Sequence, residues 1–129
     1  MGDFKVVRPG IDGKLRTISL VANGDIEEGD AVTITAGKAV KVADDGAAVA
    51  AIALGDVADT ATGIFARLTS GVIVEGVDKD TCVVGDAVGV NVTTAVQTFE
   101  KGGSYQTFRV VKVTADLALQ CEALDATIG

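Results

Sequence analysis

Two copies of one short phrase bracket the central part of the chain, residues 26–92. The first copy is Gly29-Asp30-Ala31-Val32-Thr33-Ile34 and the second is Gly85-Asp86-Ala87-Val88-Gly89-Val90. Each predicts a turn that leads into a strand, because Gly gives backbone freedom and an Asp side chain can accept a neighbouring N–H. We interpret Asp30 and Asp86 as turn formers in a rigid β scaffold. The 56-residue spacing is compatible with two related halves, but six matched positions do not establish a duplication.

The composition predicts one domain with an aliphatic core and many turns. The chain has 129 residues, of which 48% are apolar and only 4% aromatic. A single domain of this length buries roughly two thirds of its unfolded surface. The core must therefore be built from Val, Ile, Leu and Ala. Sixteen Gly and one Pro indicate turns that are made by glycine.

Short apolar runs broken by Gly and Asp recur every 8–12 residues, which is typical of an all-β fold. We predict a single-domain antiparallel β-sandwich or β-barrel of about ten short strands. No amphipathic run long enough for a helix lies between them, so a parallel sheet with crossover helices is not expected. The predicted strands are 17–22, 31–35, 39–43, 47–54, 64–68, 71–75, 81–84, 88–92, 96–99 and 107–113, and residues 117–124 fit a strand or a short helix.

Residues 1–16 differ from the rest and are predicted to form an extended N-terminal arm, with the β-rich domain over 17–129. They contain two turn signals without apolar periodicity, and four cations against two acids, whereas residues 17–100 hold thirteen acids against four cations. A solvated tail is the alternative to a docking arm, and Phe4 fits core attachment equally well. The candidate contact residues of the arm are Phe4, Lys5, Arg8, Pro9, Lys14 and Arg16.

The sequence contains no recognisable catalytic motif, so we expect neither an enzyme nor a bound cofactor or metal. The chain has no His, which excludes the usual nucleophile systems and the commonest transition-metal ligand. Glu27-Glu28, Asp44-Asp45 and Asp78 with Asp80 are interpreted as turn acids. Cys82 and Cys121 are expected to be buried thiols rather than a disulfide.

The charge and hydropathy patterns also limit the partners. An acidic body argues against nucleic acid, which requires clustered cations. The longest apolar run, residues 47–54, is too short to span a bilayer, and no apolar stretch of a signal peptide follows Met1. Neither nucleic acid nor a membrane is therefore an expected partner.

The middle of the chain resembles the capsid decoration, or cement, proteins of tailed bacteriophages. The resemblance covers roughly residues 20–92, and the phrase Gly46-Ala47-Ala48-Val49 is similar to lambda-type head decoration proteins. Its order is a Gly-Asp strand start, an Ala-Gly apolar strand, a Gly-Val hairpin and a second Gly-Asp strand. The segments that carry it are Ile26–Val32, Ala50–Asp59, Thr62–Leu68, Gly71–Gly76 and Val84–Val90.

The resemblance implies a structural virion protein that is made in the host cytoplasm and lies on the outer capsid surface. It implies binding to the major capsid protein of an expanded head as a homotrimer at threefold and local threefold positions, with the contact made by the N-terminal arm. Removal of residues 1–16 would then leave a folded domain that no longer binds. The alternative is a cellular β-sandwich module that binds glycans or peptides, and a small enzyme domain is the least favoured class.

Overall fold

The protein is all-β, as predicted. A computed structural model describes residues 3–8, 15–43, 49–69, 71–93, 96–101, 106–115 and 118–124. These residues form eleven strands and no helix, consistent with a single all-β domain. The strands are β1 (Lys5–Arg8), β2 (Thr17–Ala22), β3 (Ala31–Thr35), β4 (Lys38–Lys41), β5 (Ala51–Ala53), β6 (Thr62–Arg67), β7 (Ile73–Val77), β8 (Ala87–Thr93), β9 (Val96–Lys101), β10 (Phe108–Ala115) and β11 (Ala118–Ala123).

Strands β2 to β6 close into a five-stranded barrel in the order β2-β4-β3-β5-β6. β3 and β4 form an antiparallel hairpin, and Ala36 and Gly37 both have positive φ at its tip. β2 and β4 are parallel, whereas the other pairs of the barrel are antiparallel. Its interior is filled by Leu20, Ala22, Ile26, Val32, Ala39, Ala51, Ala53, Val57 and Phe65.

The remaining strands form a six-stranded sheet in the order β1-β7-β11-β10-β8-β9. This sheet curves back on itself, because β9 meets the chain just after β7. Asp78 and Phe99 form a parallel bridge there, and Lys79 N donates to Phe99 O at 3.0 Å. A second core includes Val74, Phe99 and Phe108 of this sheet and extends to Ala31 and Ile52 of the barrel strands.

The two halves of the chain have the same topology. β2 to β6 correspond in order to β7 to β11, so that β7-β9-β8-β10-β11 repeats the pairing order of the barrel. The registers also agree at a spacing of 56 residues: Thr17 lies opposite Ala66, and Ile73 lies opposite Glu122. The structure thus resolves the question raised by the twin phrases, since the halves are structurally equivalent.

Both Gly-Asp phrases form the same turn, as predicted. Glu27 N donates to Asp30 Oδ2 at 2.9 Å, and Val83 N donates to Asp86 Oδ2 at 3.0 Å. In each turn the Asp N–H returns a bond to the carbonyl of the same partner residue. Gly29 and Gly85 have φ of 90° and 98°, a left-handed conformation that favours glycine. Asp30 and Asp86 therefore fix the starts of β3 and β8.

Four details of the sequence-based predictions need correction. Residues 5–8 form a strand rather than an extended arm, and residues 81–84 are not a strand but a segment tied back by Asp78. The predicted strand 47–54 is β5 alone within the described residues. β6 and β7 do not pair as a Gly-Val hairpin, because they belong to different sheets. For 117–124 the strand alternative is correct.

Candidate binding surface

Phe4 is a core residue, not an exposed anchor. It is 5% exposed, and its ring packs against Phe99 with centroids 5.0 Å apart. Phe99 in turn meets Phe108 edge-on at 5.3 Å. Three of the five aromatic rings of the chain thus form one cluster of tilted and edge-on pairs, a geometry that stabilises the cluster beyond the burial of apolar area. Of the two alternatives that the sequence left open for Phe4, the structure shows core attachment.

The position of Phe4 depends on a glycine in the neighbouring strand. A methyl group at Gly76 would lie 2.6 Å from Phe4 Cδ1 and 2.8 Å from Phe99 Cε2, so only glycine leaves room for both rings. The main chain of Phe4 is held as well, since its N–H donates to Gly29 O at 2.9 Å. The segment before β1 therefore links the first Gly-Asp turn to the second half of the molecule.

β1 contains two of the four cations of the predicted arm and forms an edge of the six-stranded sheet. It pairs antiparallel with β7, with Lys5 opposite Glu75 and Arg8 opposite Ile73. Lys5 is exposed, as is Val7 between the two cations. The sequence did not predict this strand, because Arg8-Pro9-Gly10 is a turn signal and four residues are too few to show a period. The apolar alternation Phe4, Val6 was the available signal.

The structure separates the six candidate residues of the arm. Phe4, Lys5 and Arg8 belong to one segment on the second half, whereas Arg16 precedes β2 on the barrel and is exposed. The carbonyl of Arg16 accepts the N–H of Arg67 at 2.9 Å. Pro9 and Lys14 lie outside the described residues, as do Asp44 and Asp45.

A groove of about 440 Å³ runs beside β1 and separates it from the barrel. Residues of β1 form one wall, and the first Gly-Asp turn with the end of β5 forms the other. Its rim carries both signs of charge, since Lys5 and Glu28 are both exposed. The lining residues are Phe4, Lys5, Val6, Glu28, Gly29, Ile52, Ala53 and Leu54.

The thiols lie in the second core and are poor nucleophiles. Cys82 and Cys121 are buried and unpaired with each other. Burial, followed by the hydrogen bond and charge of Asp78, raises the pKa of Cys82 to about 12. Burial, followed by the neighbouring Cys82, raises the pKa of Cys121 as well. Because the thiolate is the reactive form, both groups behave as small core residues at neutral pH.

The acids around Asp78 act as turn formers in the structure. Asp78 Oδ1 accepts Asp80 N at 2.9 Å, and its Oδ2 accepts Cys82 N at 3.0 Å. Asp80 Oδ2 accepts the N–H of Lys101 at 3.1 Å. Within the described residues no group of three or more His, Cys, Asp or Glu side chains is arranged to hold a metal ion. These carboxylates are occupied by the main chain.

No helix in the described ranges is long and apolar enough to cross a membrane. No family model matches the chain, and no curated protein matches it either.

Proposed function

We propose that this protein is a non-enzymatic structural component of a bacteriophage virion that binds the outer surface of an expanded capsid and stabilises it. Its partner in this proposal is the major capsid protein, and its form on the capsid is a homotrimer at threefold and local threefold positions.

One observation carries the proposal: the segments that resemble phage decoration proteins coincide with the framework of both halves. Ile26–Val32 contains the first Gly-Asp turn, and Val84–Val90 contains the second. Thr62–Leu68 and Gly71–Gly76 include β6 and most of β7. The resemblance thus lies in residues that build the fold, which supports a relationship of fold and not of short chance phrases.

The surface that we assign to capsid contact is the exposed side of β1 with its cations. The main chain of Lys5 and Arg8 is held in a sheet rather than on a free tail, so little main-chain conformational entropy is lost when this strand binds. Cations on a protein of net charge −7 favour an acidic patch on the capsid. In a trimer, three such contacts act together, because the second and third attachments are effectively intramolecular.

The direct test is occupancy of purified expanded heads that were assembled without this protein. We expect saturable binding and heads that withstand higher temperature or DNA pressure after binding. Unexpanded precursor shells serve as the negative control. Absence of binding to expanded heads would overturn the proposal.

Charge reversal separates the assigned surface from a general electrostatic effect. Lys5→Glu is expected to weaken binding, because it places a negative charge on the contact strand, where it would repel an acidic patch of the capsid. Lys79→Glu changes the net charge by the same amount, but Lys79 lies outside β1. Its ammonium group lies 3.6 Å from the carboxylate of Glu100. Equal weakening by both variants would argue against β1 as the contact. Light scattering tests the trimer, which has three times the 13.0 kDa mass of one chain.

A further inference from the structure

The outer edge of β2 presents main-chain groups that have no partner in the described structure. Ala22 N donates to Ala61 O and Arg67 N donates to Arg16 O, both at 2.9 Å. The main-chain N–H and C=O groups of the even-numbered residues of β2 therefore point toward β6. Because successive residues of a strand point their N–H and C=O groups to opposite edges, Thr17 and Ser19 face outward.

Nothing in the part of the chain that the structure describes covers this edge. The neighbouring strand β4 pairs with β2 only at Val21 and Ala22. No described group forms a hydrogen bond with the outward main chain of Thr17 or Ser19. Both side chains are also exposed.

The second half of the molecule shows what such an edge accepts. By the 56-residue spacing, Thr17 and Ser19 correspond to Ile73 and Glu75 of β7. These two residues lie opposite Arg8 and Lys5 of β1, which pairs antiparallel with β7. The same position is therefore occupied by an antiparallel strand in one half, whereas no described strand occupies it in the other.

The chemistry of the edge restricts its occupant. Thr17–Leu20 carries no charge and no Pro, and so lacks the features that normally protect a strand edge from pairing. Arg16 and Arg67 flank one end, and Lys38 flanks the other, opposite Val21. An acidic or neutral segment fits this surrounding better than a basic one.

The edge of β2 also differs from that of β7 in one residue that bears on packing. Leu20 corresponds to Gly76, and it is buried, with 7% exposure. β2 thus has a buried side chain at the position where β7 has the glycine that accommodates Phe4. An incoming strand therefore needs no aromatic anchor, and main-chain hydrogen bonds would supply most of the recognition.

We propose that the Thr17–Leu20 edge of β2 receives an extended acidic segment of the capsid subunit as an antiparallel strand. This inference rests on the proposed function, and it adds a second contact besides β1. Antiparallel pairing of two copies through this edge would place the cations at its two ends opposite each other, and like charges in that position disfavour a second copy as the occupant.

The test is the variant Ser19→Pro, with Ser19→Ala as its matched control. Pro removes the outward N–H but no bond to β6, and its ring blocks a neighbouring strand, whereas Ala keeps the main chain intact. On expanded heads we expect the Pro variant to bind on the order of tenfold more weakly or not at all, and the Ala variant to bind like wild type. Circular dichroism checks that each variant is folded, and Thr17→Pro replaces Ser19→Pro if the latter is not.

Hydrogen exchange gives an independent readout. The amide hydrogens of Thr17 and Ser19 should exchange more slowly when wild-type protein is bound to heads. The inference would be overturned, with the proposed function intact, if a folded Pro variant bound like wild type and the Thr17 and Ser19 amides of wild type exchanged equally fast with and without heads. Failure of wild type to bind expanded heads would overturn both. Loss of the oligomer in the Pro variant without heads would identify a second copy as the occupant and so contradict the inference.

Discussion

The side chain of Gln97 pairs with the main chain of Ala31 as a neighbouring strand would. Gln97 Oε1 accepts Ala31 N at 2.8 Å, and Gln97 Nε2 donates to Ala31 O at 2.9 Å and to Val42 O at 3.0 Å. The side chain is fully buried, and residue 97 lies in the second half whereas 31 and 42 lie in the first. One amide thus satisfies three buried main-chain groups across the junction between the halves.

The variant Gln97→Ala should be strongly destabilised. It leaves Ala31 N and Val42 O without the partner that Gln97 provides, whereas Ala31 O keeps its bond from Val42 N. The lost bonds and the cavity together cost about 3–5 kcal/mol of unfolding free energy. Urea denaturation followed by circular dichroism measures the loss. Gln120→Ala is the control, since Gln120 is only half-buried and bonds Glu75 at 3.3 Å. Equal losses in the two variants would show that the junction does not depend on Gln97.

The variant Phe4→Ala tests whether the N-terminal segment belongs to the folded domain. Loss of a buried aromatic ring costs about 3–5 kcal/mol, so we expect a clearly lower free energy of unfolding. Gly76→Ala should have a similar effect, because its methyl group would displace the Phe4 ring. Val7→Ala is the control on the same segment, since Val7 is 44% exposed. Full stability of Phe4→Ala would contradict the packing of β1.

The same contacts change the expected result of deleting residues 1–16. The sequence predicts that a folded domain remains after this deletion, but the deletion removes Phe4 from the core and uncovers the edge of β7. We now expect a destabilised domain, so lost capsid binding after this deletion would not by itself identify an arm. Point substitutions of exposed residues such as Lys5 are the better test.

Periodicity and turn residues were sufficient to predict the fold class and the limits of the best strands. β2 and β3 begin and end where the sequence predicts, because Asn23-Gly24 and Gly29-Asp30 are strong local turn signals. Local patterns carry no information on which strands pair, so the division into two equivalent halves was not predictable. Only the GDAV phrase hinted at it.

The candidate surface was predicted less well than the fold. The cations of β1 were identified by charge, but the burial of Phe4 depends on Gly76, which is 72 positions away. The open edge at Thr17 and Ser19 was missed for a similar reason. Whether a strand edge is open or covered depends on tertiary pairing. The residues of β2 predict a strand equally well in both situations, so they do not show whether its edge is open.

The two Gly-Asp turns should respond differently to the same substitution. Asp30 is buried and lies 3.6 Å from Lys41 Nζ, whereas the side chain of Asp86 is 23% exposed and lies 3.7 Å from Lys101 Nζ. If Asp86 is removed, water can replace part of the hydrogen bonding of its carboxylate, because this site is partly exposed. Water cannot do the same at the buried site of Asp30. We expect Asp30→Ala to cost about 2–3 kcal/mol and Asp86→Ala about 1 kcal/mol. Equal costs in urea denaturation would contradict this account of burial.

Stability should fall in alkaline solution because of the buried thiols. The pKa of Cys82 is raised from 9.0 to about 12 in the folded state, so between these values the unfolded chain loses a proton that the folded chain retains. The unfolded state is then favoured, by about 1.4 kcal/mol per pH unit for this thiol. The stability that the protonated Cys82 thiol contributes is therefore fully present below pH 9, and it is lost as the pH rises toward 12.

The variant Cys82→Ala isolates this effect from the other groups that titrate in the same range. It is expected to be less stable than wild type at pH 8, because it leaves a small cavity, but its stability should decrease less steeply from pH 9 to 11. The difference between the two slopes, measured by urea denaturation at several pH values, is the quantity that reports the thiol. Identical slopes would show that the Cys82 thiol titrates alike in the folded and unfolded chains. Reaction of the native protein with a thiol reagent at pH 8 should accordingly be slow, and addition of denaturant should accelerate it.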